Sequence, residues 1–194
     1  MNLRLIPHLA RRATLLCAFV LLTPTAQAQG TGKMLVSINP QEYTHPINLW
    51  RYYHNYWFYQ GPLLEPIVIQ TLNEKFGEVS LCSGNSSANT LVKINPSVFY
   101  NPKMTQYYGK LTAHVYTGSG KLIASYKAEA ETSGFLEVFP DRQIATTYRL
   151  AMDKLIAKLQ TDTALQQVIK DGISAGETSL PCSMVVTLPE GVAK

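Results

Sequence analysis

Residues 107–131 read YYGKLTAHVYTGSGKLIASYKAEAE, and this stretch determines the predicted fold class. Residues 117–120 (Thr-Gly-Ser-Gly) have turn composition, and polarity alternates on either side, which predicts a β-hairpin. The apolar face comprises Leu111, Ala113, Val115, Leu122, Ala124, Tyr126, Ala128 and Ala130. Such a face suits packing beneath a helix, whereas the charged face suits contact with water. The alternation places His114 outside, with Thr112 and Tyr116.

Two main helices are predicted before and after this hairpin. Residues 62–76 carry apolar side chains at three- and four-residue spacing, with Pro62 at the start and Gly77 as the stop. Residues 141–159 repeat the pattern, with Asp141 as the expected N-cap. The expected buried stripe of this second helix is Ile144, Tyr148, Ala151, Leu155 and Leu159.

Shorter segments complete the prediction. Strands are expected at residues 33–38, 78–82 and 90–100, and a short helix at 163–171. We therefore predict a single α+β domain, in which two main helices pack on one face of a mostly antiparallel sheet with a long hairpin.

Residues 50–59, WRYYHNYWFY, contain seven of the chain's nineteen Phe, Trp and Tyr residues. Their composition favours a strand. In a single strand both faces would be aromatic, so the strand is either covered on both sides or open to a ligand on one. The pattern leaves open which side that is. The candidate contact residues are Trp50, Tyr52, Tyr53, His54, Tyr56, Trp57 and Tyr59.

The first 28 residues have the pattern of a secretory signal. Three arginines precede an apolar segment at residues 13–22, and residues 26–28 (Ala-Gln-Ala) form a small-x-small cleavage site. We expect cleavage after Ala28 and a periplasmic domain of residues 29–194 without a transmembrane segment. Leu16 precedes Cys17 where a lipobox has a small residue, so acylation at Cys17 is not predicted.

The charge balance excludes one class of partner. The whole chain has a net charge of +4, and the three arginines of the signal account for most of it, which leaves +1 on residues 29–194. Nucleic-acid binding would need a clustered basic surface. We therefore expect no nucleic-acid partner.

Two cysteines, Cys82 and Cys182, remain after the signal. An even number in an exported protein predicts a disulfide, with two buried free thiols as the alternative. Neither cysteine has a second cysteine or a histidine at ligand spacing. We expect neither a metal nor a cofactor.

The sequence carries no persuasive catalytic pattern. Residues 117–121 lack the first glycine and the Ser or Thr of a phosphate loop. Glu129 and Glu131 share a strand face, about 6–7 Å apart by strand rise, which touches the spacing of glycosidase carboxylates. We interpret them as a solvated face beside Lys127. His54 is interpreted as part of the aromatic strand and His114 as a surface strand residue.

The order of elements resembles small periplasmic α+β lipoproteins of the Gram-negative envelope, including the ABC-type transport auxiliary, YajG-like and LptE-like families. The likeness is carried by residues 53–57 (Tyr-His-Asn-Tyr-Trp), Pro62, the helix with spaced leucines, the hairpin with a Gly turn, and the closing helix. It implies a non-enzymatic accessory role in envelope transport or assembly, such as lipid transport. The lipobox is missing, and the cysteine pair is not matched to the family.

We therefore expect a non-enzymatic periplasmic accessory or binding protein, with an envelope protein, a lipid or a glycan as its partner. The alternatives are a secreted hydrolase acting on glycans and a purely structural envelope protein. Two carboxylates, or His114 and an acid, that converge in a cleft lined by residues 50–59 would favour the hydrolase.

Overall fold

The structure, a computed structural model, describes residues 34–171 and 177–193. The predicted signal, Cys17 and the first residue of the first predicted strand lie outside these ranges. The strands are β1 Met34–Ile38, β2 Ile47–Arg51, β3 His54–Phe58, β4 Val79–Leu81, β5 Thr90–Asn101, β6 Gln106–Thr117 and β7 Leu122–Ser133. The helices are α1 Gln41–Thr44, α2 Gln60–Phe76, α3 Pro140–Thr161 and α4 Thr163–Asp171, followed by a 3₁₀ segment, Cys182–Thr187.

Five strands form the main sheet in the order β4-β1-β5-β6-β7, and β2 and β3 form a separate two-stranded sheet. The long strands β5, β6 and β7 pair antiparallel. β1 lies parallel to both β4 and β5, because the chain returns through α2 before it enters β4. The predicted α+β class is confirmed, and the sheet is mixed at the β1 end.

The predicted hairpin at residues 107–131 is confirmed as β6 and β7. Gly120 has a φ of +88° in the turn, a backbone conformation that favours glycine. Most of the apolar face packs into the main core: Leu111, Ala113 and Val115 are fully buried, and Ala128 and Ala130 almost so. Leu122 was expected on this face but packs beside Tyr116 on the opposite face, because the strand register shifts between Val115 and Tyr116.

The two main helices differ from the prediction only at their starts. α2 begins at Gln60 and ends before Gly77, whose φ is +85°. Pro66 therefore lies in the second turn and not in the first. α3 begins at Pro140, after Phe139 in the left-handed conformation at the N-cap. The prediction that Asp141 caps this helix is wrong, because Asp141 lies within its first turn.

The main core lies between the sheet and the helices α2 and α3. All five residues of the predicted stripe on α3 are fully buried: Ile144, Tyr148, Ala151, Leu155 and Leu159. The Tyr148 hydroxyl donates a hydrogen bond to the Gln60 side-chain oxygen, which links α3 to the start of α2. The helices thus cover one face of the sheet, as predicted.

The C-terminal segment, residues 177–193, covers part of the opposite face. The predicted disulfide between Cys82 and Cys182 is present, with Cα atoms 5.3 Å apart. Val185 of the segment packs against Leu35, Leu91 and Tyr116 of the sheet in a second apolar cluster. The sheet is therefore covered on both faces near the β6–β7 turn.

This coverage overturns the prediction that His114 is a surface residue. His114 lies on the outer face as expected, but it is only 3% exposed because the C-terminal segment passes over it. Its Nδ1 lies 2.7 Å from the Ser125 hydroxyl, and its Nε2 lies 3.7 Å from the Glu190 carboxylate. Glu190 also pairs with the buried ammonium of Lys93 at 2.8 Å.

Candidate functional site

The aromatic segment is a hairpin and not a single strand. β2 and β3 pair in register from Ile47 opposite Phe58 to Arg51 opposite His54. Tyr52 and Tyr53 therefore form a two-residue turn, with Tyr52 at a φ of +52°. The prediction of one continuous strand is therefore wrong. The sequence does not indicate this turn, because neither Tyr52 nor Tyr53 is a Gly, Asn or Asp, the residues that usually adopt this conformation.

The register separates the aromatic residues into two faces. Ile47, Leu49 and Phe58 lie on the inner face and pack against the main core, and Tyr56 is half-buried beside them. The rings of Tyr56 and Phe58 are stacked, with centroids 5.7 Å apart. The inner face thus attaches the hairpin to the rest of the molecule.

The outer face carries exposed aromatic side chains. Trp50 and Trp57 lie on it, 56% and 62% exposed. Tyr52 and Tyr53 are exposed at the turn, and Tyr59 is exposed where β3 meets α2. The seven candidate contact residues therefore divide: Trp50, Tyr52, Tyr53, His54, Trp57 and Tyr59 face solvent, and Tyr56 is partly covered.

A cation and a carboxylate hold the tip of the hairpin. The Arg51 guanidinium donates to both carboxylate oxygens of Glu137, each at 3.0 Å. The same guanidinium lies 5.1 Å from the Tyr52 ring centroid and 4.9 Å from that of Phe135. The pKa of Glu137 is below its usual value, first because a backbone N–H donates to its carboxylate and then because of Arg51.

A second contact holds the base of the hairpin. The Tyr56 hydroxyl donates a hydrogen bond to the Asp141 carboxylate in the first turn of α3. Burial, followed by this hydrogen bond, raises the pKa of Tyr56. The hairpin is therefore joined at two points to the start of α3 and the loop before it.

That loop carries exposed apolar side chains that sequence analysis missed, and one of them, Phe135, lies beside the hairpin tip. Phe135, Val138 and Phe139 are each more than half exposed. The backbone carbonyls of Gly134 and Phe135 accept hydrogen bonds from the hydroxyls of Tyr100 and Tyr107. The sequence does contain an indication of this exposed apolar surface, because three large apolar residues lie in a segment between a strand and a helix.

The two strand carboxylates lie elsewhere. Glu129 and Glu131 line an open groove of about 490 Å³ on the outer face of the main sheet, with Phe99, Tyr108, Lys110 and Lys154 among its other lining residues. Glu129 pairs with Lys127 at 2.6 Å, and both glutamates are exposed as expected. No residue of 50–59 lines this groove. Nor does the groove include buried His114 or its partner Glu190, which is about half exposed.

Within the described ranges, no three His, Cys, Asp or Glu side chains lie close enough together to hold a metal ion. Among the helices of residues 34–171 and 177–193, none combines the length and apolar character that crossing a membrane requires.

Comparison with solved structures yields a distant structural similarity. No protein-family model matches the chain, and neither does any curated protein. Among solved structures, the chain is similar to the crystal structure of protein XCC0632 from Xanthomonas campestris, described under the family-model DUF330. The identity is 16% and the TM-score 0.46, over 74% of this chain and 90% of that chain. A similarity at this level transfers no site and no activity.

Proposed function

We propose that this protein is a non-catalytic accessory or binding component of the cell envelope, and that the β2–β3 hairpin is its contact surface. The observation that carries the proposal is the exposure of Trp50, Tyr52, Tyr53, Trp57 and Tyr59 on one 13-residue hairpin segment. Contiguous exposed apolar surface of this kind marks interaction sites.

The energetics favour a partner. Removing one large apolar side chain from water stabilises a complex by about 1.5–3 kcal/mol before the losses on association are counted. Trp and Tyr also keep a polar group that can form a hydrogen bond at the edge of an interface. Several such side chains on one surface supply enough contact energy for specific binding.

The hairpin is also held in place before any partner arrives. Arg51 with Glu137, and Tyr56 with Asp141, fix it to the α3 end of the molecule. A surface that is already ordered loses little conformational entropy on binding. This rigidity favours a docking surface over a mobile loop.

The envelope location rests on other observations. The secretory pattern of residues 1–28 predicts export, and the disulfide between Cys82 and Cys182 is of a kind that persists in oxidising compartments. The resemblance to envelope lipoproteins, carried by residues 53–57 and the helix after them, supports an accessory role in transport or assembly.

Affinity capture from solubilised envelope fractions tests the proposal. The wild type should retain a partner that Trp50→Ala loses. Phe99→Ala is the matched control, because Phe99 is equally exposed but lies on the main sheet, and it should retain the partner. If the wild type recovers nothing, or if both variants lose the partner alike, the hairpin is not the contact surface.

A hydrolase acting on glycans is the second candidate. Glu129 and Glu131 share an open groove, which supports it, but residues 50–59 do not line that groove as the hydrolase was expected to require. Incubation with polysaccharides, followed by an assay for new reducing ends, tests it directly. The hydrolase requires turnover that Glu131→Gln abolishes. No turnover, or turnover unchanged in this variant, would exclude these two carboxylates as the catalytic pair.

A further inference from the structure

The outer face of the β2–β3 hairpin has a chemical composition that identifies a class of ligand. The inference rests on the proposed function, because it concerns the same surface. Four positions make up this face: Asn48 lies opposite Trp57, and Trp50 lies opposite Asn55. The two tryptophans are therefore diagonal neighbours, about 7–8 Å apart at their backbones. Each ring has an asparagine amide beside it on the facing strand.

The polar groups of this face are neutral and available. Asn48 Nδ2 donates a hydrogen bond to Asn55 Oδ1 at 3.1 Å. An amide has two donor hydrogens and one acceptor oxygen, so one N–H and the oxygen of Asn48 and both N–H groups of Asn55 remain. Within residues 34–171 and 177–193 these groups have no other hydrogen-bond partner. They are free to bond a ligand that lies across the two rings.

The absence of charge on the four positions argues against anionic ligands. Phosphate and carboxylate ligands are recognised by Arg and Lys in proteins. The nearest arginine in the hairpin, Arg51, is on the opposite face and paired with Glu137. A phospholipid headgroup, an acidic peptide or a nucleic acid would therefore find no countercharge here.

The two amides also argue against insertion into hydrocarbon. Burying an amide without a hydrogen-bond partner costs about 1–3 kcal/mol in proteins. Acyl chains offer no donor or acceptor to Asn48 or Asn55. A ligand for this face must combine flat apolar surface over the rings with hydroxyl groups beside them.

A pyranose ring has that combination, since its axial C–H groups form an apolar face and its hydroxyls project from the edge. We propose that the outer face of the β2–β3 hairpin binds a neutral polysaccharide. Trp50 and Trp57 stack on sugar rings, and Asn48 and Asn55 hydrogen-bond their hydroxyls. Tyr59 follows Trp57 by two residues in extended backbone, just past the end of β3. It therefore points to the same side as Trp57 and offers a further ring to the polysaccharide.

The chain supplies its own reporter for a test. Trp50 and Trp57 are its only tryptophans, so intrinsic fluorescence reports directly on this face. The purified protein is titrated with chitohexaose and with cellohexaose, and is sedimented with insoluble chitin and cellulose, which are the corresponding uncharged polymers. We expect a fluorescence change that saturates with at least one of these sugars, and co-sedimentation with the matching polymer.

Variants assign the binding to the face. Trp57→Ala and Asn55→Ala should each raise the apparent Kd about tenfold or more, whereas the Kd of Trp57→Phe should stay close to that of the wild type. Met184→Ala serves as the control and should bind normally, because Met184 is half exposed on the C-terminal 3₁₀ segment and lines neither the hairpin face nor the groove of Glu129 and Glu131. Thermal unfolding checks that each variant is folded, and these exposed positions should leave the melting temperature nearly unchanged.

The outcomes separate this inference from the proposed function. If no polysaccharide binds, or if the Trp57→Ala variant binds as the wild type does, the polysaccharide is the wrong ligand. Capture of an envelope protein, or binding to phosphatidylethanolamine–phosphatidylglycerol vesicles, that depends on Trp50 would then keep the contact surface and reject the sugar. Loss of every interaction would reject both.

Discussion

Tyr52 occupies a backbone position that the sequence gives no reason to expect. At a φ of +52° it adopts the left-handed region, which costs a residue with a Cβ about 1–2 kcal/mol relative to the right-handed region. Its ring lies against the Arg51 guanidinium, and the Arg51–Glu137 pair holds the turn from below. The exposed turn is thus maintained by its neighbours and not by its own preference.

A pair of glycine substitutions tests this conformation. Tyr52→Gly relieves the backbone strain. Tyr53→Gly relieves none, because the φ of Tyr53 is not positive, and it only increases the conformational entropy of the unfolded chain. We expect Tyr52→Gly to be more stable than Tyr53→Gly by about 1 kcal/mol in urea unfolding. Equal stabilities would show that Tyr52 is not strained.

Gly109 lies where β6 closely approaches α3. A Cβ at this position would lie 2.7 Å from Cγ2 of Thr147, which is itself fully buried. Gly109→Ala should therefore lower the free energy of unfolding by about 1–3 kcal/mol. Adding Thr147→Ser removes the clashing methyl, keeps the hydroxyl and should restore part of the loss. No recovery in the double variant would contradict this packing.

At the scale of elements, the sequence predicts what depends on local pattern. The β6–β7 hairpin carries strict alternation and a glycine turn, and α3 carries an unbroken stripe from Ile144 to Leu159, so both are recovered. The β2–β3 turn is not recovered, because Tyr52 and Tyr53 lack turn composition. The start of α3 is not recovered either, since Phe139 and not Asp141 takes the N-cap position.

The position of the C-terminal segment depends on contacts distant in sequence. Alternation predicts that His114 lies on the outer face of the sheet, but it does not show that another part of the chain covers that face. Glu190, 76 residues later, reaches Lys93 and His114, and the Tyr116 hydroxyl donates to the carbonyl of Pro189 at 3.0 Å. No local pattern contains this information.

These contacts predict sensitivity to acid. Burial, and then Lys93, lower the pKa of His114, against the opposing effect of Glu190. The unfolded chain therefore takes up a proton near pH 6.5 that the folded chain resists, so stability falls as pH drops below about 6.5. The pKa of Glu190 is also lowered, by hydrogen bonds from Lys93 and Asn95, so its stabilisation is lost only as pH falls through that lowered value.

Urea unfolding between about pH 7.5 and pH 5 separates the two groups. The wild type should lose stability across this range. His114→Gln, which keeps a polar side chain next to Ser125, should lose much less. The same slope in both proteins would mean that another group, and not His114, is responsible.

At the scale of the whole molecule, one covalent link fixes the C-terminal segment to the sheet. The disulfide joins residues 100 positions apart, and closing a loop of this length stabilises by about 4–5 kcal/mol in the chain-entropy model. The double variant Cys82→Ser, Cys182→Ser should lose about 2–5 kcal/mol of unfolding free energy. Titration that finds two reactive thiols in the untreated exported protein would refute the link.

The candidate site was only partly predictable, because its shape also depends on tertiary contacts. Composition identified all the aromatic residues of the hairpin, but not that Trp50 and Trp57 share a face, because this depends on the unpredicted turn. Phe135 reaches the hairpin tip through the Arg51 guanidinium, a contact that no sequence spacing indicates. Composition can locate an aromatic surface, whereas its shape follows from tertiary packing.

The proposed contact surface requires that both tryptophans are exposed in the free protein and become covered in the complex. Acrylamide quenching of intrinsic fluorescence measures this directly, because Trp50 and Trp57 are the only tryptophans in the chain. We predict efficient quenching of the free protein, and a loss of quenching when the polysaccharides, which contain no tryptophan, are added. For a solubilised envelope fraction the protein carries 5-hydroxytryptophan, which is excited separately from the tryptophans of the fraction, and the same loss of quenching is expected. Tryptophans shielded in the free protein, or equally quenched with every envelope component, would contradict the account.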